Sequence, residues 1–278
     1  MLRLVQLHLL ALAALCFAPC VLAQVDSIVT PPFVTTPPEV VDRMLSLAGT
    51  TSRDYVVDLG SGDGRIVIAA AKNYGARSLG LELDPKLVAL SRDNARAAGV
   101  AGRAEFKVQD VLLADFSSAT VVTVYLLPWL MDKLSPIFLE GLKPGSRIVT
   151  HAFLFPGWKP DRTEKVRLKI PHPSQGDESA IYLWVVPANA RGFWQAPSPQ
   201  GRWRVRIDQN FQEVEVEAEQ DGTPLKITAA KLNGARLDFS GTHRGAPFTF
   251  RGQVEGSRIA GEAEIGADKR VLPLVFSK

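Results

Sequence analysis

Between residues 36 and 155 the apolar positions alternate between two rhythms, stripes at three- and four-residue spacing and short unbroken runs. Val40, Val41, Met44, Leu45 and Leu47 form the first stripe. The residues before it predict a helix start, with Thr36 as N-cap, Pro37 at the first helical position and Glu39 completing a capping box. Tyr55-Val56-Val57-Asp58-Leu59 is too continuously apolar for a half-exposed strand and predicts one buried on both faces of a parallel sheet. Gly60-Ser61-Gly62-Asp63-Gly64 then turns the chain into an alanine-rich helix over residues 65–72. The alternation continues with a strand at 78–83, a helix at 85–98 capped by Asp84, a strand at 104–108 and a loop to Phe116. A very apolar strand at 121–126, a helix at 130–142 and a strand at 147–155 complete it. Such alternation predicts an α/β fold, a doubly wound, mostly parallel sheet with right-handed crossovers, whose ligands bind beyond the carboxyl ends of the strands.

From residue 191 the helical period disappears. Short alternating runs at 203–207, 213–217, 225–228, 237–239, 248–250 and 271–276 take over, punctuated by Gly201, Asp221-Gly222, Asn233-Gly234, Gly241 and Gly256. They predict a C-terminal antiparallel β-rich domain, a meander or half-barrel over 191–278. Pro, Ala and Gly recurring through 187–199 predict a linker. Domain boundaries follow at 24–190 for the α/β part and 191–278 for the β-rich part.

Residues 1–23 stand apart. Arg3 precedes the apolar stretch from Leu7 to Phe17, and Val21-Leu22-Ala23 puts small residues where a signal peptidase cuts, so a secretory signal peptide ending before Gln24 is expected. Gln6, His8 and Pro19 shorten the run below the roughly 20 apolar residues of a spanning helix, although an uncleaved membrane anchor is the competing reading. Either places the remainder outside the cytoplasm, in the periplasm or envelope of a bacterium. Cys16 and Cys20 both lie in this segment. A cleaved chain would therefore have no disulfide, no catalytic thiolate and no cysteine zinc site.

The 278 residues are 46% hydrophobic and 22% charged, enough apolar material for one large or two smaller cores. The net charge of +3 comes from 32 Lys and Arg against 29 Asp and Glu, without a basic stripe, so no nucleic-acid partner is expected. The four histidines show no metal-ligand spacing, and no metal is expected.

Glycines at 60, 62 and 64 between a buried strand and a helix indicate close approach of a ligand to backbone. Asp58 narrows the chemistry, because a carboxylate at the strand tip would repel a pyrophosphate and favour a cation. Arg65 also stands where a dinucleotide fingerprint requires its last glycine. S-adenosylmethionine satisfies both constraints: its ammonium and sulfonium are positive, and it carries no phosphate. Glu82, closing the next strand, suits two ribose hydroxyls. Asp110, after the third strand, suits an adenine amino group. Asp63 and Asp84 read instead as turn and cap residues.

Asp58-Leu-Gly-Ser-Gly-Asp-Gly64, Leu81-Glu-Leu-Asp84 and Gln109-Asp110 resemble the successive cofactor motifs of class I S-adenosylmethionine-dependent methyltransferases. Pro32-Phe-Val-Thr-Thr36, Tyr125-Leu-Leu-Pro128, Phe153-Leu-Phe-Pro-Gly-Trp158 and Ile181-Tyr-Leu-Trp184 are similar to segments of the lysine methyltransferases that modify the c-ring protein of mitochondrial ATP synthase and the adenine nucleotide translocator. The likeness covers residues 31–186. It implies a Rossmann-like methyltransferase fold. Asp58, Gly60, Ser61 and Gly62 would hold the methionyl end, Glu82 the ribose, and Asp110 with Val111 the adenine. Phe33, Thr35 and Thr36 would close the methionyl side. Tyr125 and Pro128 are the catalytic candidates, with Tyr125 lining the acceptor channel. They stand where enzymes acting on adenine or glutamine amino groups carry an Asn/Asp-Pro-Pro-aromatic motif, which is absent here.

The expected activity is therefore S-adenosylmethionine-dependent methyl transfer to a protein lysine side chain, or to a small-molecule acceptor. An exported, non-catalytic binding protein that keeps the fold is the alternative, since the cofactor is made in the cytoplasm. In that alternative the β module would engage an envelope partner. A nicotinamide-dependent oxidoreductase is a third reading, opposed by Asp58. His151 reads as a hydrogen-bonded structural residue, and Phe155 and Trp158 as either groove wall or core.

Overall fold

A computed structural model describes residues 33–173 and 175–278. The expected signal at 1–23, with both cysteines, lies outside the described residues. Residues 33–278 form one unit containing two sheets.

The first sheet is assembled from α1 (Pro38–Leu47), β1 (Tyr55–Leu59), α2 (Arg65–Tyr74), β2 (Arg77–Glu82), α3 (Pro85–Ala97), β3 (Ala104–Val108), β4 (Val121–Val124), α4 (Pro128–Gly141), β5 (Arg147–His151), β6 (Arg162–His172) and β7 (Gly176–Val185). Its order is β3-β2-β1-β4-β5-β7-β6, with β1 to β5 parallel and the β6–β7 hairpin antiparallel to β5. The side on which successive strands are added switches between β1 and β4, which opens a crevice at their carboxyl ends. Alternate residues face opposite cores. Val56, Val121, Val149 and Ile181 pack with α1 and α2, whereas Val57, Leu59, Val122, Val124 and Ile148 pack with α4, Phe155, Trp158 and Trp184. Phe155 and Trp158 are thus core residues, each 2% exposed.

Three expectations are corrected. Thr36 does not cap α1: the N-cap is Pro37, with no side-chain cap, because the Thr36 hydroxyl turns to His151 and Glu39 accepts from the Lys169 backbone N–H instead. Asp84 does cap α3, accepting from Lys86 N–H at 2.8 Å. The strand expected at 147–155 stops at His151, and the chain turns at Ala152 with φ 67°. The linker expected at 187–199 is mostly a strand, β8 (Gly192–Ser198), in which Trp194 and Ala196 are buried on alternate positions.

The second sheet continues with β9 (Gly201–Asn210), β10 (Glu213–Gln220), β11 (Thr223–Pro224), β12 (Lys226–Asn233), β13 (Arg236–His243), β14 (Ala246–Glu255), β15 (Arg258–Ile265) and β16 (Arg270–Ser277). Its order, β11-β10-β9-β8-β16-β15-β14-β13-β12, joins two antiparallel meanders where β16 meets β8. β10 and β12 also touch, so the sheet curls into a near-barrel around Trp194, Trp203, Phe239, Phe248, Phe250 and Phe276. Among the described residues no helix is long and apolar enough to cross a membrane.

Candidate active site

Asp58 sits at the tip of β1 and is 3% exposed. Register places it opposite Thr123 of β4, whose hydroxyl donates to it at 2.7 Å. Burial, reinforced by the nearby carboxyls of Glu82 and Asp63, pushes the Asp58 carboxyl up to about 7 in spite of that donor. A cation brought to this carboxyl would stabilise its ionised form.

The loop after β1 folds back on β2: the N–H groups of Gly60 and Ser61 both donate to Leu81 O, at 2.8 and 3.0 Å. Gly62 has φ 53°, and any Cβ there would collide with the Phe33 ring, so the glycine permits residues before α1 to lie directly on the loop. Arg65 ties the same parts together, pairing with Asp63 at 2.6 Å and donating to Thr36 O at 2.7 Å. Ser61 Oγ is buried without a hydrogen-bond partner. Such an orphan beside a glycine loop is what a polar ligand atom would satisfy.

Glu82 accepts from Gly62 N–H at 2.9 Å, Leu83 N–H at 2.8 Å and Asp84 N–H at 3.0 Å. Its carboxylate is therefore oriented by backbone before any hydroxyl arrives, with acceptor capacity remaining. Asp110 lies two residues beyond β3 and accepts from Leu112 N–H at 2.9 Å, and Val111 packs partly buried against the sheet core. The predicted cofactor residues thus come together along the carboxyl ends of β1, β2 and β3, with Phe33 and Thr36 brought over by the segment before α1.

Tyr125 follows β4 on the other side of the crevice. Its ring lies 4.0 Å from the His151 ring, and its oxygen accepts from Gln175 Nε2 at 3.1 Å. Pro128 is the first residue of α4 and is exposed. His151 is fully buried and bonded at both nitrogens, to Thr36 and to Ser179, as a structural histidine would be. Burial and the neighbouring His172 hold it down to about 4, so its imidazole is neutral at physiological pH. Thr123, Gln175 and Ser179 were not singled out by the sequence, and Arg65 entered there only as a departure from the dinucleotide fingerprint. Only Thr123 left a signal there, as the one polar residue in an otherwise apolar run.

A doubly wound sheet with a glycine loop and acids at its strand tips, the first of them buried, and without a phosphate-compatible charge pattern, defines a class I S-adenosylmethionine-dependent methyltransferase. Comparison with known proteins agrees. The ANTKMT methyltransferase domain profile matches residues 58–162. A protein-lysine N-methyltransferase of Saccharolobus islandicus is 41% identical over 56% of this chain and 93% of its own length. The mouse lysine N-methyltransferase of the ATP synthase c-ring protein is 39% identical over 48% of this chain, which spans only 53% of the mouse protein. The crystal structure of a protein described as an RNA methyltransferase, from Salinibacter ruber with bound S-adenosyl-L-homocysteine, is 49% identical over 56% of this chain and 95% of that one, with a TM-score of 0.51. The chain belongs to the family of protein-lysine N-methyltransferases that includes the Saccharolobus enzyme. Its cofactor is S-adenosylmethionine. The orphaned Ser61 hydroxyl and the half-satisfied Asp58 carboxyl fit that molecule's polar, cationic methionyl end.

Proposed function

We propose that this protein methylates the side-chain amine of a lysine in a partner protein. The observation that carries the reading is the match to 93% of the length of the Saccharolobus islandicus protein-lysine N-methyltransferase. Surface chemistry is compatible with it. Leu113, Trp129, Leu154 and Ile170, all on segments near the carboxyl end of the sheet, are exposed, as protein-recognition surfaces favour.

When bound, S-adenosylmethionine supplies a methyl carbon already activated by its sulfonium. The chain's part is alignment and exclusion of water. Asp58, Gly60, Ser61 and Gly62 hold the methionyl end, Phe33, Thr35 and Thr36 cover it, Glu82 takes the ribose, and Asp110 with Val111 takes the adenine. Tyr125 and Pro128 border the acceptor. The lysine must shed its proton first, and a desolvated channel favours the neutral amine by lowering its pKa.

Residues 1–23 act, in this proposal, as an export signal, residues 24–190 as the methyltransferase domain and 191–278 as a β-rich domain associated with the envelope. N-terminal sequencing of the protein from a periplasmic fraction should then begin at Gln24.

The main test incubates purified protein with tritium-labelled cofactor and an extract of the same organism. Radioactivity that survives nuclease, is lost to protease and maps by mass spectrometry to methylated lysine supports the proposal. Label in RNA overturns it. Cofactor binding without transfer to anything favours the exported binding protein instead.

A further inference from the structure

Behind the crevice, five polar side chains from distant parts of the chain form one continuous line. Thr36 Oγ1 lies 3.3 Å from His151 Nδ1, and His151 Nε2 lies 2.9 Å from Ser179 Oγ. The Ser179 hydroxyl donates to Gln175 Oε1, and Gln175 Nε2 donates to the Tyr125 oxygen at 3.1 Å. Both His151 and Ser179 are fully buried, where each polar atom needs a partner.

With the Gln175 amide oxygen turned to Ser179, proton counting sets the sense of this line. A serine hydroxyl has one proton. Because Ser179 gives it to Gln175, His151 must donate from Nε2 to Ser179. Its Nδ1 is then an acceptor and takes the Thr36 proton. All four bonds point the same way, from Thr36 to Tyr125, and the line closes only through a neutral imidazole. An amide is the side chain suited to the fourth place, accepting at one end and donating at the other.

We propose that Gln175 is a positioning residue for methyl transfer: from the turn joining β6 to β7 it fixes the Tyr125 hydroxyl beside the acceptor, and Thr36, His151 and Ser179 fix Gln175 in turn. The inference rests on Tyr125 bordering the acceptor channel. In-line displacement tolerates little misplacement of the attacking nitrogen, so a loosened wall costs rate more than cofactor affinity. A neutral ring under Tyr125 also adds no positive charge beside a crevice that takes a sulfonium.

The test uses the full chain in two arms. In the first, ¹⁵N spectra of the histidine side chains between pH 5.5 and 8 should show His151 protonated at Nε2 only. Protonation at Nδ1 alone, or at both nitrogens above pH 6, overturns the line. In the second, Gln175→Leu should keep cofactor affinity, read by tryptophan fluorescence, within about twofold. Its transfer rate to the labelled extract proteins at saturating cofactor should fall about tenfold. Gln175→Glu, which once ionised only accepts, should be as slow at pH 8 and, measured relative to the unaltered protein at the same pH, recover towards pH 5 as it regains a donor. An unchanged rate in Gln175→Leu, or an equal loss of cofactor affinity, overturns the positioning role. If the unaltered protein transfers no methyl to protein, the lysine reading has failed, and the proposal with it, while the first arm still decides the hydrogen-bond line.

Discussion

Asp58 is the residue at which fold stability and cofactor binding oppose each other. With its carboxyl raised to about 7, the folded chain holds a proton between pH 3.8 and 7 that the unfolded chain has released. Stability without cofactor therefore falls as pH rises through that window and levels off above it. The cofactor selects the ionised carboxyl, so its affinity should climb roughly tenfold per pH unit below 7 and then flatten. Asp58→Asn should remove both slopes, melting higher than the unaltered protein at pH 8 while binding the cofactor far more weakly. Parallel melting and binding titrations check this, and a variant that retains the affinity slope would assign it to another group. Gly62→Ala should also weaken cofactor binding, by roughly tenfold or more, because its Cβ displaces Phe33 from the loop; calorimetric titration measures it. Asp58, Glu82 and Asp110 were legible in the sequence because acids at strand ends need no partner to be noticed. Thr123 was not singled out, since what joins it to Asp58 is β1–β4 register across 65 residues of chain.

Strands buried on both faces and strands with a clean alternation announced themselves; β6 and β8 did not. β1 to β5 follow the predicted order: β1 and β4, central and parallel between helix layers, are buried almost throughout, while β3 at the edge alternates, with Ala104 and Phe106 inward. β6 was missed: Arg162, Glu164, Lys165, Arg167 and Lys169 give it the composition of a loop, and tertiary contacts order it, namely pairing with β7, Leu168 packed against α1, and the Lys169 N–H held by Glu39. β8 was hidden by Gly192, Pro197 and Gly201, which read as breakers although Pro197 sits at a sheet position where β8 meets β16 poorly. α4 shows the opposite conflict, a helix formed through a breaker. Pro136 lies inside it on the exposed side, while Leu134, Ser135 and Phe138 face the core. The packed face holds the helix in spite of the missing N–H. Pro136→Ala restores that donor and should stabilise the protein by about 1–3 kcal/mol, seen as a higher melting temperature with unchanged cofactor affinity.

Across the whole molecule, the β-rich part is bound to the methyltransferase sheet by contacts that neither half would make alone. Phe211, held at φ 52° in the turn after β9, stacks on Trp158 with centroids 5.3 Å apart and planes within 7°. Trp158 belongs to the core beneath α4, so Phe211 completes that core from outside. Gln212 donates to Val185 O at 3.1 Å and accepts from Gly234 N–H at 3.0 Å, binding the last strand of one sheet to a turn of the other. At Gly234 a Cβ would lie 2.7 Å from Gly145 Cα, a backbone atom with nowhere to move, because Gly145 N–H is itself committed to Val186 O. The sequence predicted a linker without regular structure over 187–199; the pairing of β8 and these contacts make the junction short and fixed instead. Unfolding should therefore be one cooperative transition in calorimetry. Phe211→Ala should cost about 2 kcal/mol and lower that single transition by roughly 4–8 °C, since a half-buried aromatic pair is lost at a core boundary. Gly234→Ala should lower it further, through strained backbone at positive φ as well as the collision. Neither substitution touches the crevice, so cofactor affinity below the melting range should stay the same. Two resolved transitions in the unaltered protein, with only the upper or lower one moved by Phe211→Ala, would mean that the sheets fold independently and that the junction is a contact without a structural role.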